Sequence, residues 1–160
     1  MTMDAPDPPE SGAADGPLVD WHAVLRGALL GLCVLIAASV LEAILDRNID
    51  RFQDSGWIYP LFVAILFGYA LGGWQAGRTA PDGALTNGTL AGLGAFVLWV
   101  PVRIGIWLIR DEHKGLFTGH SPALRPGQLF GHLVIAGALG MLGGFVGSRA
   151  AARARGTTPS

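Results

Sequence analysis

Long apolar stretches without charge dominate this chain. Residues 55–77, between Asp54 and Arg78, are 23 positions free of Asp, Glu, Lys and Arg, and residues 126–148 are another 23. Residues 83–102 add 20 such positions and residues 27–41 add 15. A hydrocarbon core of about 30 Å takes roughly 20 apolar residues of helix. Two stretches meet that length outright; the other two meet it when Glu42 and Arg103 lie inside their helices. The pattern favours this, because apolar residues resume beyond each charge as Ala43-Ile44-Leu45 and as Ile104 to Ile109. Residues 84–109 hold 12 Leu, Ile, Val or Phe. These contribute roughly −4 to −7 kcal/mol to insertion, against about +3 kcal/mol for one central Arg. The pattern predicts an all-α membrane protein with four transmembrane helices at 24–45, 58–78, 84–109 and 129–148. A transmembrane domain over 21–149 would follow a disordered acidic tail over 1–20 and precede a short basic tail over 150–160.

Composition removes the competing classes. Charged residues make up 14% of the 160 positions, hydrophobic residues 51%, and mean hydropathy is +0.44. A soluble four-helix bundle needs a polar face along each helix, and these segments have none. A net charge of −1 leaves no basic face for nucleic acid. The single Cys33 excludes an intrachain disulfide and a cysteine zinc site. Trp21, Trp57, Tyr59, Trp74 and Trp107 fall near the predicted span ends, where amphipathic rings favour the headgroup layer.

Four spans place both termini on one side. Arg26, Arg78, Arg149, Arg153 and Arg155 lie there; Arg47, Arg51, Arg110, Lys114 and Arg125 lie opposite. The count ties under the positive-inside rule. The last three arginines of the chain have no acid near them, whereas the opposite loops interleave bases with Asp46, Asp50, Asp54, Asp111 and Glu112. This favours cytoplasmic termini. Residues 1–20 contain no base, so a cleaved secretory leader is not expected.

The chain also repeats itself. Leu71-Gly72-Gly73-Trp74-Gln75-Ala76-Gly77-Arg78 aligns with Leu142-Gly143-Gly144-Phe145-Val146-Gly147-Ser148-Arg149 at an offset of 71, and Gly27, Gly31 and Leu32 align with Gly88, Gly92 and Leu93 at 61. The expected architecture is two helical hairpins of parallel orientation, in the manner of repeat-built transporters. The offset of 61 carries Glu42 onto Arg103. Ionisable residues inside a span face the bundle interior and pair, so an intramembrane ion pair between Glu42 and Arg103 is expected opposite the termini; separate snorkelling is the competing reading.

Small residues recur at i,i+4 in every span: Gly27 and Gly31; Gly68 and Gly72, with Gly73 and Gly77; Gly88 and Gly92; Gly140 and Gly144, with Gly143 and Gly147. Such stripes let helix backbones approach closely. The doubled stripes on the second and fourth spans exceed one intramolecular contact, so one stripe of each is expected to serve a homo-oligomer or a membrane-protein partner. Pro101 cannot donate to Val97 and should kink the third span. His22, His113, His120 and His132 fit no metal-ligand spacing; His132 is expected at the interface. No metal, cofactor or catalytic motif is read, and a non-enzyme is expected.

Gly72-Gly73 with Ala76-Gly77-Arg78, then Ala80-Pro81-Asp82-Gly83, then Gly88 and Gly92-Leu93, resembles the central hairpin of small uncharacterised four-helix bacterial membrane proteins. The resemblance covers residues 68–93. It implies a bacterial inner membrane and assigns no site residue. Two function classes remain: a structural or interaction subunit assembling through Gly-striped helices, and a small transporter or channel-forming subunit with Glu42 and Arg103 near the solute path.

Overall fold

The computed structural model describes residues 19–49, 51–109 and 126–156. Four helices account for most of them: α1 (Trp21–Asn48), α2 (Ile58–Thr79), α3 (Ala84–Ile109) and α4 (Pro126–Gly156). Short 3-10 turns at Phe52–Asp54 and Pro81–Gly83 make the first two connections. All four helices are long and apolar enough to cross a membrane.

Local signals set the ends. Asp20 caps α1, its carboxylate accepting from the backbone N–H of His22 at 2.9 Å and of Ala23 at 3.0 Å; this supplies partners to two of the unpaired donors at the helix start. Arg51, in the left-handed region at φ 57°, turns the chain out of α1, and Phe52 is buried beside it. Pro81 opens the turn before α3. Beyond the span predicted at 129–148, α4 stays helical to Gly156, which puts Arg149, Arg153 and Arg155 on helix.

Packing places the hairpins side by side. α1 lies antiparallel on α2, α2 parallel on α4, α4 antiparallel on α3, and α3 parallel on α1; α2 and α3 also touch across the middle. The interior is built of small residues. Ala23, Ala28, Ala76, Ala91, Ala95 and Ala136 are all buried. The outside carries the bulk: Leu25, Leu29, Ile44, Phe62, Val63, Phe67, Val97, Leu108, Val134, Met141 and Val146 are exposed. In water this would forfeit about 1.5–3 kcal/mol for each large apolar side chain left outside. In lipid, an environment as apolar as leucine, nothing is forfeited, and close contact between small residues becomes the source of association. The protein is a multi-pass membrane bundle.

The same interior shows where the glycine stripes go. A side chain at Gly27 would strike the carbonyl of Gly72, and one at Gly72 would come within 2.8 Å of the carbonyl of Gly27. Gly31 and Gly68 oppose each other one turn along. Gly73 and Gly77 of α2 abut Gly140 and Gly144 of α4, while Gly143 and Gly147 abut the α2 backbone at Ala70, Trp74 and Arg78. Gly88 and Gly92 of α3 abut Ala136, Gly140 and Gly144. The expected spare stripe for a partner is therefore absent. α2 meets α1 and α4 on two faces, and α4 meets α2 and α3, so the doubled stripes on α2 and α4 are both consumed within one chain.

Candidate polar site in the distal half

The glycine contacts lie from mid-bundle to the end bearing the termini, hereafter the terminal half. That half is closed by backbone packed on backbone. Its one buried polar side chain among the described residues is Asn87, whose Oδ1 accepts from the backbone N–H of Asp20 at 2.9 Å and ties the start of α1 to α3. Beside it, Asp20, His22, Thr79, Asp82 and Asn87 line a surface cleft of about 520 Å³.

The distal half is filled differently. Glu42 projects from α1 and Arg103 from α3, and Arg103 Nη1 donates to Glu42 Oε2 at 2.8 Å. The two side chains are 31% and 30% exposed, so the pair sits at the bundle edge rather than sealed within it. The Arg103 guanidinium lies 5.7 Å from the Trp99 ring centroid, one helical turn back. Trp99 is buried, and its indole N–H donates to Ser39 Oγ of α1 at 2.9 Å. On its other side Trp99 stacks with His132 of α4, centroids 5.7 Å apart and planes 28° apart. His132 in turn meets the edge of Tyr69 on α2 at 6.4 Å. All four helices thus contribute to one ladder that runs from Tyr69 at mid-bundle out to Glu42.

Two atoms on this ladder are unpaired. Tyr69 is fully buried, yet its hydroxyl has no partner, and neither does the buried Nδ1 of His132, among the described residues. A buried polar atom without a hydrogen bond costs about 1–3 kcal/mol. A cationic guanidinium over an indole, a carboxylate and two polar rings make a site able to accept and donate hydrogen bonds inside an apolar layer, where each such bond meets little competition from water.

The structure brings together Glu42 and Arg103, and places Pro101 inside α3 at an exposed position. It sets His132, near the start of the fourth span, against Trp99 and Tyr69. Ser39, Tyr69 and Trp99 carry the site as well; Trp99 belongs to the unusual stretch it forms with Pro101 and Arg103, whereas sequence reasoning did not single out Ser39 or Tyr69. A signal for Ser39 existed: it lies one turn before Glu42 on α1, as Trp99 lies one turn before Arg103 on α3. Thr89 offers nothing to a path, since its hydroxyl donates to the Leu85 carbonyl of its own helix at 2.8 Å. Asp111, Glu112, His113 and His120 lie outside the described residues, as does the tail over 1–18.

No family model matches the chain, and no curated protein or solved structure matches it either.

Proposed function

We propose that this protein is a structural or interaction subunit of a membrane assembly, with the distal ladder as its recognition element, and not a conduit in its own right. One observation carries the reading: the side-chain-to-side-chain contacts that join one helix to another are gathered from mid-bundle to the distal end, while the terminal half is shut by glycine-to-glycine backbone contact. A solute path through one bundle would have to part helices whose backbones touch. With the glycines consumed inside, a partner meets the outer faces or the distal end, where Glu42 and Arg103 are partly exposed. A bacterial inner membrane with cytoplasmic termini, as the resemblance over 68–93 and the arginine distribution imply, and a non-catalytic role belong to the same reading.

The test is affinity purification from native membranes, comparing wild type with a Glu42→Gln, Arg103→Gln double variant. A stoichiometric partner that the double variant loses is the expected result. A lone protein that conducts ions or solutes in reconstituted vesicles would overturn it.

A second reading, a small transporter or channel-forming subunit, is favoured by the unpaired Tyr69 hydroxyl and His132 Nδ1 together with the Glu42–Arg103 pair. Intramembrane ionisable groups commonly mark substrate or proton pathways. Flux that depends on Tyr69 and His132 would select this reading.

A further inference from the structure

The terminal face carries a second feature, independent of the distal ladder. α2 and α4 are parallel neighbours there, and each ends its apolar span on an aromatic residue followed one turn later by arginine. The Arg78 guanidinium lies 5.2 Å from the Trp74 ring centroid, and that of Arg149 lies 4.2 Å from the Phe145 centroid. Trp74 and Phe145, like Arg78 and Arg149, are equivalent in the repeat at an offset of 71. Contact of Gly143 with the Trp74 backbone and of Gly147 with the Arg78 backbone locks the two motifs at one depth. Both arginines are exposed, and neither has a hydrogen bond or ion pair among the described residues.

A ring against one face of a guanidinium holds it by cation–π attraction and leaves the planar N–H edge free, the edge that grips phosphate in bidentate fashion. The location selects the phosphate. These residues stand where an apolar span meets the headgroup layer, and arginines at that depth extend toward lipid phosphates. Asp20 and Asp82 are the acids at this end among the described residues, and Asp20 is engaged in capping α1.

We propose that Arg78 and Arg149, each braced on the ring one turn before it, form a paired seat for the phosphate of an anionic phospholipid headgroup on the terminal face. The seat is made by α2 and α4 together, and their glycine contact sets its spacing.

The test counts lipids retained by the intact protein in native mass spectrometry after titration with phosphatidylglycerol or phosphatidylcholine. Wild type should retain phosphatidylglycerol preferentially. Arg78→Gln and Arg149→Gln should each weaken retention about fivefold and the double variant about thirtyfold, from ~1 kcal/mol per basic side chain near an anionic surface. Phe145→Leu should weaken it less than removal of Arg149, and Arg47→Gln at the distal end should leave it unchanged. Both arginines are exposed, so these variants keep the packing that folds the bundle. Equal retention by the double variant, or equal uptake of both lipids by wild type, would overturn the proposal.

Discussion

The two halves of this bundle use opposite solutions to one problem, that of holding helices together where lipid offers no hydrophobic drive. In the terminal half, Gly27, Gly72, Gly73, Gly77, Gly88, Gly140, Gly143, Gly144 and Gly147 remove side chains so that backbones meet. In the distal half large side chains meet between the helices instead: Phe96 and Trp99, with centroids 6.2 Å apart, then His132, and the Glu42–Arg103 pair. Even the glycines differ. Gly105 and Gly131, both distal, have nothing within 4 Å of where a Cβ would stand. Contact area between small residues gives a rigid seal without chemistry, whereas polar bridges give chemistry at the cost of looser packing. Side-chain bridges between helices therefore belong to the distal half, and backbone packing to the terminal half.

The sharpest way to break this comparison is to put the same side chain into both halves. Gly144→Leu would drive a side chain into the Ala84 carbonyl and the α3 backbone. A cost of about 3 kcal/mol or more is expected, at or beyond the upper range for overpacking, because backbone cannot rotate away. Gly105→Leu and Gly131→Leu should stay within about 0.5 kcal/mol of wild type. Unfolding midpoints in detergent decide it: equal losses at Gly144 and Gly105 would dissolve the distinction between the halves.

A smaller effect is expected from the ion pair. Glu42→Gln and Arg103→Gln should couple by about 1 kcal/mol in a double-mutant cycle, the double variant losing less than the sum of the singles. Interhelical polar contacts in membrane bundles average about 0.6 kcal/mol and reach about 1.7, and partial exposure of both side chains keeps this pair within that range. Strictly additive losses would mean that each charge is satisfied separately.

These expectations differ in how far they could be read from the chain alone. Spans are legible because insertion depends on summed hydropathy, a property of each segment by itself; the helix over Ala84–Ile109 coincides with the stretch predicted at 84–109. The destination of the glycine stripes was not legible. Periodicity shows that Gly73 and Gly77 share a face, but which neighbour occupies that face depends on the order of helices around the ring, and four helices have more than one closed order. The neighbours of His132 were not legible for a related reason. Its place near the start of an apolar run says nothing of the face it takes; α4 begins at Pro126, and His132, nearly two turns in, meets Trp99 and Tyr69. Ser39 was hidden because it carries no charge, so a search for exceptions to apolar composition passes over it.

Breaking the Trp99–Ser39 hydrogen bond sharpens the picture further. Ser39→Ala should cost about 0.6 kcal/mol, typical of one interhelical bond in a membrane bundle. It should also shift the indole emission of Trp99, which loses the acceptor for its N–H. Loss of stability without an emission change would place the effect elsewhere on α1.

Opposite in sign to the changes above, and the most informative about purpose, is the effect expected at Tyr69. Its ring is buried against Leu35, Ala95 and Ala136, and its hydroxyl is unpaired. Tyr69→Phe keeps the ring and deletes the unpaired oxygen, so the bundle should be unchanged or up to about 1 kcal/mol more stable. Were the hydroxyl part of the fold's hydrogen bonding, the same change would destabilise by a similar amount, and thermal midpoints distinguish the two signs. A stable Tyr69→Phe protein that loses its partner in native membranes would show that the oxygen is held unpaired for recognition.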